Sequence, residues 1–353
     1  NWVTMGGVTK EFETLFAEKI QARHALAVAN GTAALHLALM AVGIRPGDEV
    51  LVPSLTFVAC ANVIVALGAK PVFIDVGGES DLTLSPRDMK NKITENTRAV
   101  IAVHYAGFPC QMDAILPLAQ KHELKIIEDC AHAAVSTQNG TYCGCFGDIG
   151  CFSFFSNKNM TTAEGGMLTT NNDEHAETLR LLRSHGMTTL TLDRYQGRAF
   201  SYDVTMPGLN YRIDEIRSAI GLSQLKRLDD NLEQRRGLFS AYVSTLSGVQ
   251  DIIIPFLGRQ NEMIGHHIFP ILVPEGQRED FMRHLKEAGI QTSIHYPPIH
   301  KFTAYCDLLN DRDPGCPITE NVTSREVTLP FYPAMKKEQI AYIGKSIREF
   351  FER

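Results

Sequence analysis

Two phosphate-binding signatures are missing from this 353-residue chain. No Gly-x-Gly-x-x-Gly turn follows a predicted strand, and no Gly-x-x-x-x-Gly-Lys-[Ser/Thr] occurs, which disfavours the nucleotide folds built on those turns. Long apolar runs are missing too. No stretch approaches the roughly eighteen uninterrupted apolar residues of a membrane span. Basic charge is not in excess: 34 Lys and Arg against 40 Asp and Glu give a net charge of -6, which argues against a nucleic-acid surface. The 8 cysteines have no ligand pattern. Cys143-Gly144-Cys145 is too tight for zinc spacing and no matching pair follows, so no metal site is expected. Cys60, Cys130 and Cys151 sit among apolar or small residues and read as buried thiols, which suits a reducing cytoplasm. Asn1-Trp2-Val3-Thr4 carries no basic segment followed by an apolar run, so no signal peptide is expected.

What is present is ordinary in bulk, with 44% hydrophobic and 21% charged residues. The length predicts two domains and allows a large core without disulfides. Ala25–Ala29, Glu49–Ser54, Pro71–Val76, Ala99–Tyr105, Lys125–Cys130, Gly150–Phe155 and Gly166–Thr170 read as strands. Most are apolar on both faces, as strands between two helix layers are. Thr32–Val42 and Asp113–His122 carry helical periodicity. The alternation predicts an α/β fold with a mainly parallel seven-stranded sheet sandwiched by helices. Ligands of such sheets collect beyond the carboxyl ends of the strands. Ile213–Arg236 reads as one long helix. After it, Ile252–Pro255, His267–Val273 and Thr292–His295 read as strands, and Glu279–Ala288 and Lys337–Phe351 as helices. The expected division is a large domain over residues 1–236 and a smaller C-terminal α+β domain over 237–353.

Four segments carry chemistry. Ile126-Ile127-Glu128-Asp129 is a buried strand ending in two acids, and an acid at that end either faces the ligand crevice or is simply solvated. Cys151-Phe152-Ser153-Phe154-Phe155-Ser156-Asn157-Lys158-Asn159 runs from a strand into a polar loop with one lysine. Alone, a loop lysine is an ordinary surface cation. Paired with the acid it changes meaning: a pyridoxal-phosphate (PLP) site needs a lysine to carry the cofactor and an acid to keep the pyridine nitrogen protonated. The cofactor's phosphate needs hydroxyls and backbone N–H groups at a helix N-terminus. Asn30-Gly31-Thr32-Ala33-Ala34 offers these, with Gly31 allowing close approach and Thr32 suited both to the phosphate and to capping the helix. Pro53–Phe57 brings an aromatic ring, Phe57, either to stack on a flat cofactor or to pack in the core.

The order Gly31-Thr32-Ala33, Pro53–Phe57, Glu128-Asp129, Phe152-Ser153-Phe154 to Lys158-Asn159, Glu164-Gly165-Gly166 and Gly208-Leu209-Asn210-Tyr211-Arg212 resembles the DegT/DnrJ/EryC1/StrS family. These are fold-type I PLP enzymes acting on nucleotide-linked keto sugars. The likeness starts at Trp2-Val3-Thr4-Met5-Gly6 and Glu11-Phe12-Glu13. It ends at Gly289-Ile290, His295-Tyr296-Pro297-Pro298-Ile299-His300 and Leu329-Pro330. The motifs are weak one by one, and specific in this order.

The resemblance implies that Lys158 is the Schiff-base lysine and Asp129 the acid on the pyridine nitrogen. It implies that Phe57 stacks on the ring, and that Gly31, Thr32, Ala33 and Ser153 cradle the phosphate. It also implies that Asn210 reaches the phosphate from the neighbouring chain of a homodimer. His132 stands where many members have Gln, on the cofactor's hydroxyl side. Phe155 replaces a common His. Sugar or pyrophosphate contacts are expected from Met187–Tyr202, with Arg194 and Tyr195, from Arg212, and from His295, Tyr296 and His300. The implied reaction moves nitrogen from glutamate or glutamine to a ketone at C3 or C4 of a nucleotide-linked deoxy sugar. Three rivals compete. A sugar dehydratase of this fold looks to have exchanged the lysine for histidine. A non-catalytic relative would have lost Lys158 or Asp129. A cysteine desulfurase would need a mobile cysteine, Cys143 or Cys145, over the cofactor.

Overall fold

The computed structural model describes residues 2–189, 191–198, 200–259, 263–309 and 313–352. Its centre is a seven-stranded sheet: β1 (His24–Val28), β2 (Glu49–Pro53), β3 (Lys70–Ile74), β4 (Thr97–Val103), β5 (Lys125–Asp129), β6 (Ile149–Ser153) and β7 (Gly166–Thr170). The spatial order is β1-β7-β6-β5-β4-β2-β3. Only β7 runs against its neighbours, β1 and β6. All five residues of β2 and of β7 are buried, which is why their sequences are not alternating. Helices cover the sheet, among them α1 (Gly7–Ile20), α2 (Gly31–Ala41) and α3 (Ala59–Ala66). The large core packs α2 and α3 against β1, β2, β4 and β6 through Leu35, Leu39, Ile64, Val52 and Ile101.

All seven expected strands are present. Most end a residue or two before the apolar pattern does, because Ser54, Tyr105, Cys130 and Phe154 stay buried after the chain has left the sheet. The C-terminal ends of β1, β2, β4, β5 and β6 therefore meet at one edge.

Three expectations need correction. Ile213–Arg236 is not one helix but parts of two, Glu215–Leu225 and Leu228–Leu246. The chain breaks at Arg227 (φ -107°, ψ 2°) to seat Leu228 and Leu232 against Phe12 and Phe16 of α1. Asp229 and Asp230 then occupy a new first turn, where the helix dipole favours them. Ile252–Pro255 and Thr292–His295 are not strands. Each contributes a single bridge, Ile253 to Leu272 and Ser293 to Thr328. Pro255, Pro297 and Pro298 have no N–H to extend either ladder. The strands they flank are β8 (Phe269–Leu272) and β9 (Glu326–Leu329), an antiparallel pair. β9 is only four residues long, too short for its Glu-Val-Thr-Leu alternation to stand out as a strand. The pair packs with Leu238, Phe239 and Tyr242 of the long helix, and with Phe281 and Ile343 of the helices Arg278–Glu287 and Lys337–Phe351. This core touches the sheet's edge through Leu55, Tyr105 and Phe108.

Candidate active site

A cleft of about 410 Å³ opens where those strand ends converge. Gly31, Thr32, Phe57, Asp129, His132, Ser153, Lys158, His295 and Tyr296 all line it, out of sequence segments far apart. Asp129 is the last residue of β5. Side chains alternate along a strand, so Glu128 and Asp129 point to opposite sides. Glu128 is fully buried, bonded to His104 Nε2 (2.9 Å) and accepting the N–H groups of Gly144 (2.7 Å), Phe146 (2.8 Å) and Gly147 (2.8 Å). Asp129 thus lines the crevice, whereas Glu128, which the strand-end reading also offered to it, turns away and clamps the 143–147 loop. Asp129 Oδ1 accepts the Ala131 N–H (2.9 Å), and Oδ2 accepts the thiol of Cys60 (3.0 Å). Burial pushes the Cys60 thiol far up, so it stays a donor.

Lys158 follows β6 in a tight loop, its N–H bonded to Phe155 O (3.0 Å). Burial lowers its ammonium from 10.5 to about 8, against the pull of Asp129, which raises it. Asn159 ties this loop down. Its side-chain amide donates to Gly265 O (2.6 Å), and its backbone carbonyl accepts from the Asn231 side chain (2.8 Å).

At the other end of the cleft, β1 turns into α2. The helix cap is Asn30 and not Thr32: the extended Asn30 reaches Ala33 N–H at 2.8 Å. That uses the Ala33 N–H and leaves Thr32 exposed. Ala33 itself is buried and does not line the cleft. The Gly31 and Thr32 N–H groups, first in the helix, have no intrahelical partner. The corner is closely built. A Cβ on Gly31 would lie 2.9 Å from Ser153 Cβ, and one on Gly166 would lie 2.6 Å from Asn30 O. Paired N–H groups at a helix start, a hydroxyl from Thr32 and one from Ser153, in a corner with no room for a further side chain, fit a phosphate.

The walls are aromatic and imidazole. Phe57 is 56% exposed although large and apolar, and its ring lies 5.8 Å from that of Tyr296. His132 Nδ1 accepts the Ala106 N–H (3.3 Å), so the proton sits on Nε2 and is shared with the Tyr296 hydroxyl (3.1 Å). Burial, then Lys158, holds His132 well below the usual imidazole range. Burial also pushes the Tyr296 phenol up.

The remaining expected contacts lie outside this cleft. His300 is buried between Ser54 Oγ (2.6 Å) and Glu320 (3.1 Å). Arg194 stacks over Tyr202 (4.4 Å), and Tyr195 is exposed beside Trp2. Leu190 and Ala199 of the 187–202 stretch lie outside the described residues. Arg212 bridges Val28, with Nη1 buried and without a partner among the described residues. Asn210 is exposed and bridges Ser184. Neither Cys143, which is buried, nor Cys145, bonded to Ile20 O (3.3 Å), lines the cleft. Sequence reasoning missed Asn30, Tyr105, Asn157 and Glu164 as lining residues. Only Asn30 carried a local signal, as an Asn directly before a helix start.

The model of the DegT/DnrJ/EryC1/StrS aminotransferase family matches residues 1–348. The spore coat polysaccharide biosynthesis protein SpsC of Bacillus subtilis is 37% identical, over 99% of this chain and 90% of its own length. GDP-perosamine synthase of Escherichia coli O157:H7 is 36% identical, over 99% and 92%. Among solved structures, DesV of S. venezuelae superposes with a TM-score of 0.91 at 33% identity, covering 99% of this chain and 91% of that one. The Streptococcus pneumoniae protein Spr1654, solved in PLP- and PMP-forms, also gives 0.91, at 28% and 29% identity, over 100% of this chain and 93% and 94% of that one. The chain belongs to the DegT/DnrJ/EryC1/StrS aminotransferase family and is a PLP-dependent sugar aminotransferase.

Proposed function

We propose that this enzyme transfers an amino group from glutamate or glutamine to a keto group at C3 or C4 of a nucleotide-linked deoxy sugar. The observation that carries this is the single cleft joining Lys158, Asp129 and the anion-fitting corner of Gly31, Thr32 and Ser153. The nucleotide-sugar substrate draws its support from the GDP-perosamine synthase likeness.

The cleft fits PLP from end to end. Gly31, Thr32 and Ser153 would take the phosphate, Phe57 a ring face, His132 the ring hydroxyl, Asp129 the ring nitrogen and Lys158 the aldehyde carbon. Bound there, PLP withdraws electrons from the carbon that loses a proton. The chain's own work is electrostatic and protonic. Asp129, held by Ala131 N–H and Cys60, offers a fixed negative charge to the ring nitrogen. Lys158, lowered to about 8, has a free amine available near neutral pH, and that Nζ takes and returns the substrate proton. Neutral His132 donates without adding charge beside it.

The working unit in this reading is a homodimer with shared sites. Its support is Asn210, exposed and outside the cleft of its own chain, and Arg212, with a buried nitrogen unpartnered among the described residues. The division into units 1–236 and 237–353 belongs to the same proposal. So does a cytoplasmic location, which rests on eight free thiols. No helix of the described residues is long and apolar enough to cross a membrane. The test is a panel of UDP-, GDP- and dTDP-linked 3-keto and 4-keto deoxy sugars offered with glutamate or glutamine. A product heavier than its keto sugar by the exchange of the keto oxygen for a hydrogen and an amino group identifies the substrate. No such product with any sugar, while glutamate still consumes the cofactor's aldehyde, would overturn the sugar assignment.

A further inference from the structure

β9 carries two side chains that the reaction scheme above does not use. Glu326 and Thr328 are two residues apart, so they share one face of the strand. Thr328 is pinned on both edges, paired with Pro270 in β8 and bridged to Ser293 through two backbone bonds of 2.9 and 3.1 Å. Glu326 is fully buried. Its Oε1 meets the Thr328 hydroxyl at 2.5 Å, and its Oε2 accepts the His295 backbone N–H at 2.8 Å. The Thr328 oxygen in turn meets His295 Nδ1 at 2.9 Å. The His295 ring lines the cleft, and the Tyr105 hydroxyl holds the His295 carbonyl. A carboxyl, a hydroxyl and an imidazole thus form an unbroken chain from the C-terminal core to the cleft, with Nε2 as the ring nitrogen left for a ligand.

A hydroxyl in the middle of such a chain has one proton to give and must receive one. Its direction is set by the carboxyl at the closed end, and its direction decides which imidazole nitrogen carries hydrogen. We propose that Glu326, acting through Thr328, is a positioning residue that sets whether His295 presents an N–H donor or a bare acceptor nitrogen to the substrate. This rests on reading the cleft as the aminotransferase site.

The two states balance by one proton. With Glu326 protonated, its O–H donates to Thr328 Oγ1, the Thr328 hydroxyl donates to Nδ1, and the ring proton is on Nε2. Loss of the Nε2 proton to the cleft is answered along the chain. The Thr328 proton passes to Nδ1, the Glu326 proton passes to Thr328, and the carboxylate is left accepting from it. His295 is neutral in both states.

The surroundings place this exchange in a useful range. Burial raises Glu326 to about 8, with its bonds to Thr328 and His295 and the charge of Arg278 pulling the other way. Tyr105 and Tyr296 also face it, and burial keeps both phenols neutral. His295 is lowered to about 4 by burial and then by Lys158, so it does not take up a second proton near neutrality. The buried His132 and His267 beside it are likewise held well below the usual imidazole range. Below about pH 8 the cleft therefore meets an N–H, suited to a keto or carboxylate oxygen. Above it the cleft meets a bare nitrogen, suited to a hydroxyl or ammonium group.

The direct test is nitrogen NMR of the cofactor-loaded enzyme labelled with 15N-histidine, the His295 signals being assigned by their loss in His295→Gln. Wild type should change tautomer between pH 6.5 and 9.5, with a midpoint near 8. Glu326→Gln has an amide N–H₂ that can only donate to Thr328, so it should hold the Nε2–H form across the range. Thr328→Val should break the dependence on pH, and Thr328→Ser should restore it. In kinetics, the KM for the keto sugar should rise roughly three- to tenfold from pH 7 to 9 in wild type, the worth of one neutral hydrogen bond, and stay flat in Glu326→Gln. A wild-type His295 with one tautomer throughout, or a Glu326→Gln enzyme that follows pH as wild type does, overturns the proposal. A switch seen in an enzyme that aminates no keto sugar supports the relay and removes only the reaction assigned to the cleft.

Discussion

Lys158 should cost this protein stability, and replacing it should return that stability. In the unfolded chain the ammonium keeps its ordinary value of 10.5, and in the cleft burial brings it to about 8. At about 1.4 kcal/mol per pH unit, that difference is worth roughly 3 kcal/mol against the folded state when the lysine is charged. The side chain is not wholly closed off, so water relieves part of this, and about 2 kcal/mol is the realistic expectation. The sign follows from proton binding. Between pH 8 and 10.5 the unfolded chain holds a proton that the folded one has released, so stability rises with pH through that window. The penalty is full below about pH 8 and gone above 10.5. Lys158→Met keeps the length and apolar stem without the charge. Urea unfolding of the cofactor-free protein, at one fixed protein concentration, should find Lys158→Met more stable by about 2 kcal/mol at pH 7. Near pH 10.5 the gap should close. Turnover should vanish, because the residue that carries the cofactor and moves the proton is gone. An equal or lower stability at pH 7, or a gap that persists unchanged at pH 10.5, would refute the claim that burial tunes this lysine.

The other expectations concern the rest of the cleft. Asp129→Asn should fold, since an amide oxygen still accepts from Ala131 N–H, but lose roughly 10- to 100-fold in turnover, the worth of one charged hydrogen bond. It should also drop Lys158 further below 8, because Asp129 is what raises it, and the pH dependence of amine labelling at Lys158 reads this directly. Gly31→Ala forces a Cβ to within 2.9 Å of Ser153 Cβ, so PLP dissociation, followed by absorbance, should speed up about tenfold, with about 1–3 kcal/mol lost in unfolding. Mixing inactive Lys158→Ala with inactive Asn210→Asp should restore about a quarter of wild-type sites, since half the dimers are mixed and each has one intact site of two. No recovery, with subunit exchange demonstrated, rules out a shared site.

Much of this molecule could be read directly from the chain. Most of the seven strands are apolar on both faces because helices cover the sheet, and that pattern is visible without any knowledge of the fold. Lys158, Asp129, Gly31 and Thr32 were recognisable because each sits where a strand gives way to a loop or helix, at an edge that parallel topology makes common to all of them. Tertiary structure alone decided the rest. Which of two adjacent acids enters the cleft depended on the register of β5 against β4 and β6, which sends Glu128 to the 143–147 loop. The helix cap fell to Asn30 because its extended backbone, not its neighbour's hydroxyl, brings an oxygen to Ala33. The break at Arg227 answered the position of α1, more than 200 residues earlier. The chain from Glu326 to His295 has no local signature, since β9 is short and carries a buried acid. It exists because Ser293 and Pro270 hold Thr328 between them. Local pattern reports burial and backbone conformation. The partner of a buried polar group is set by chain segments that meet only once the protein has folded, and no local pattern encodes it.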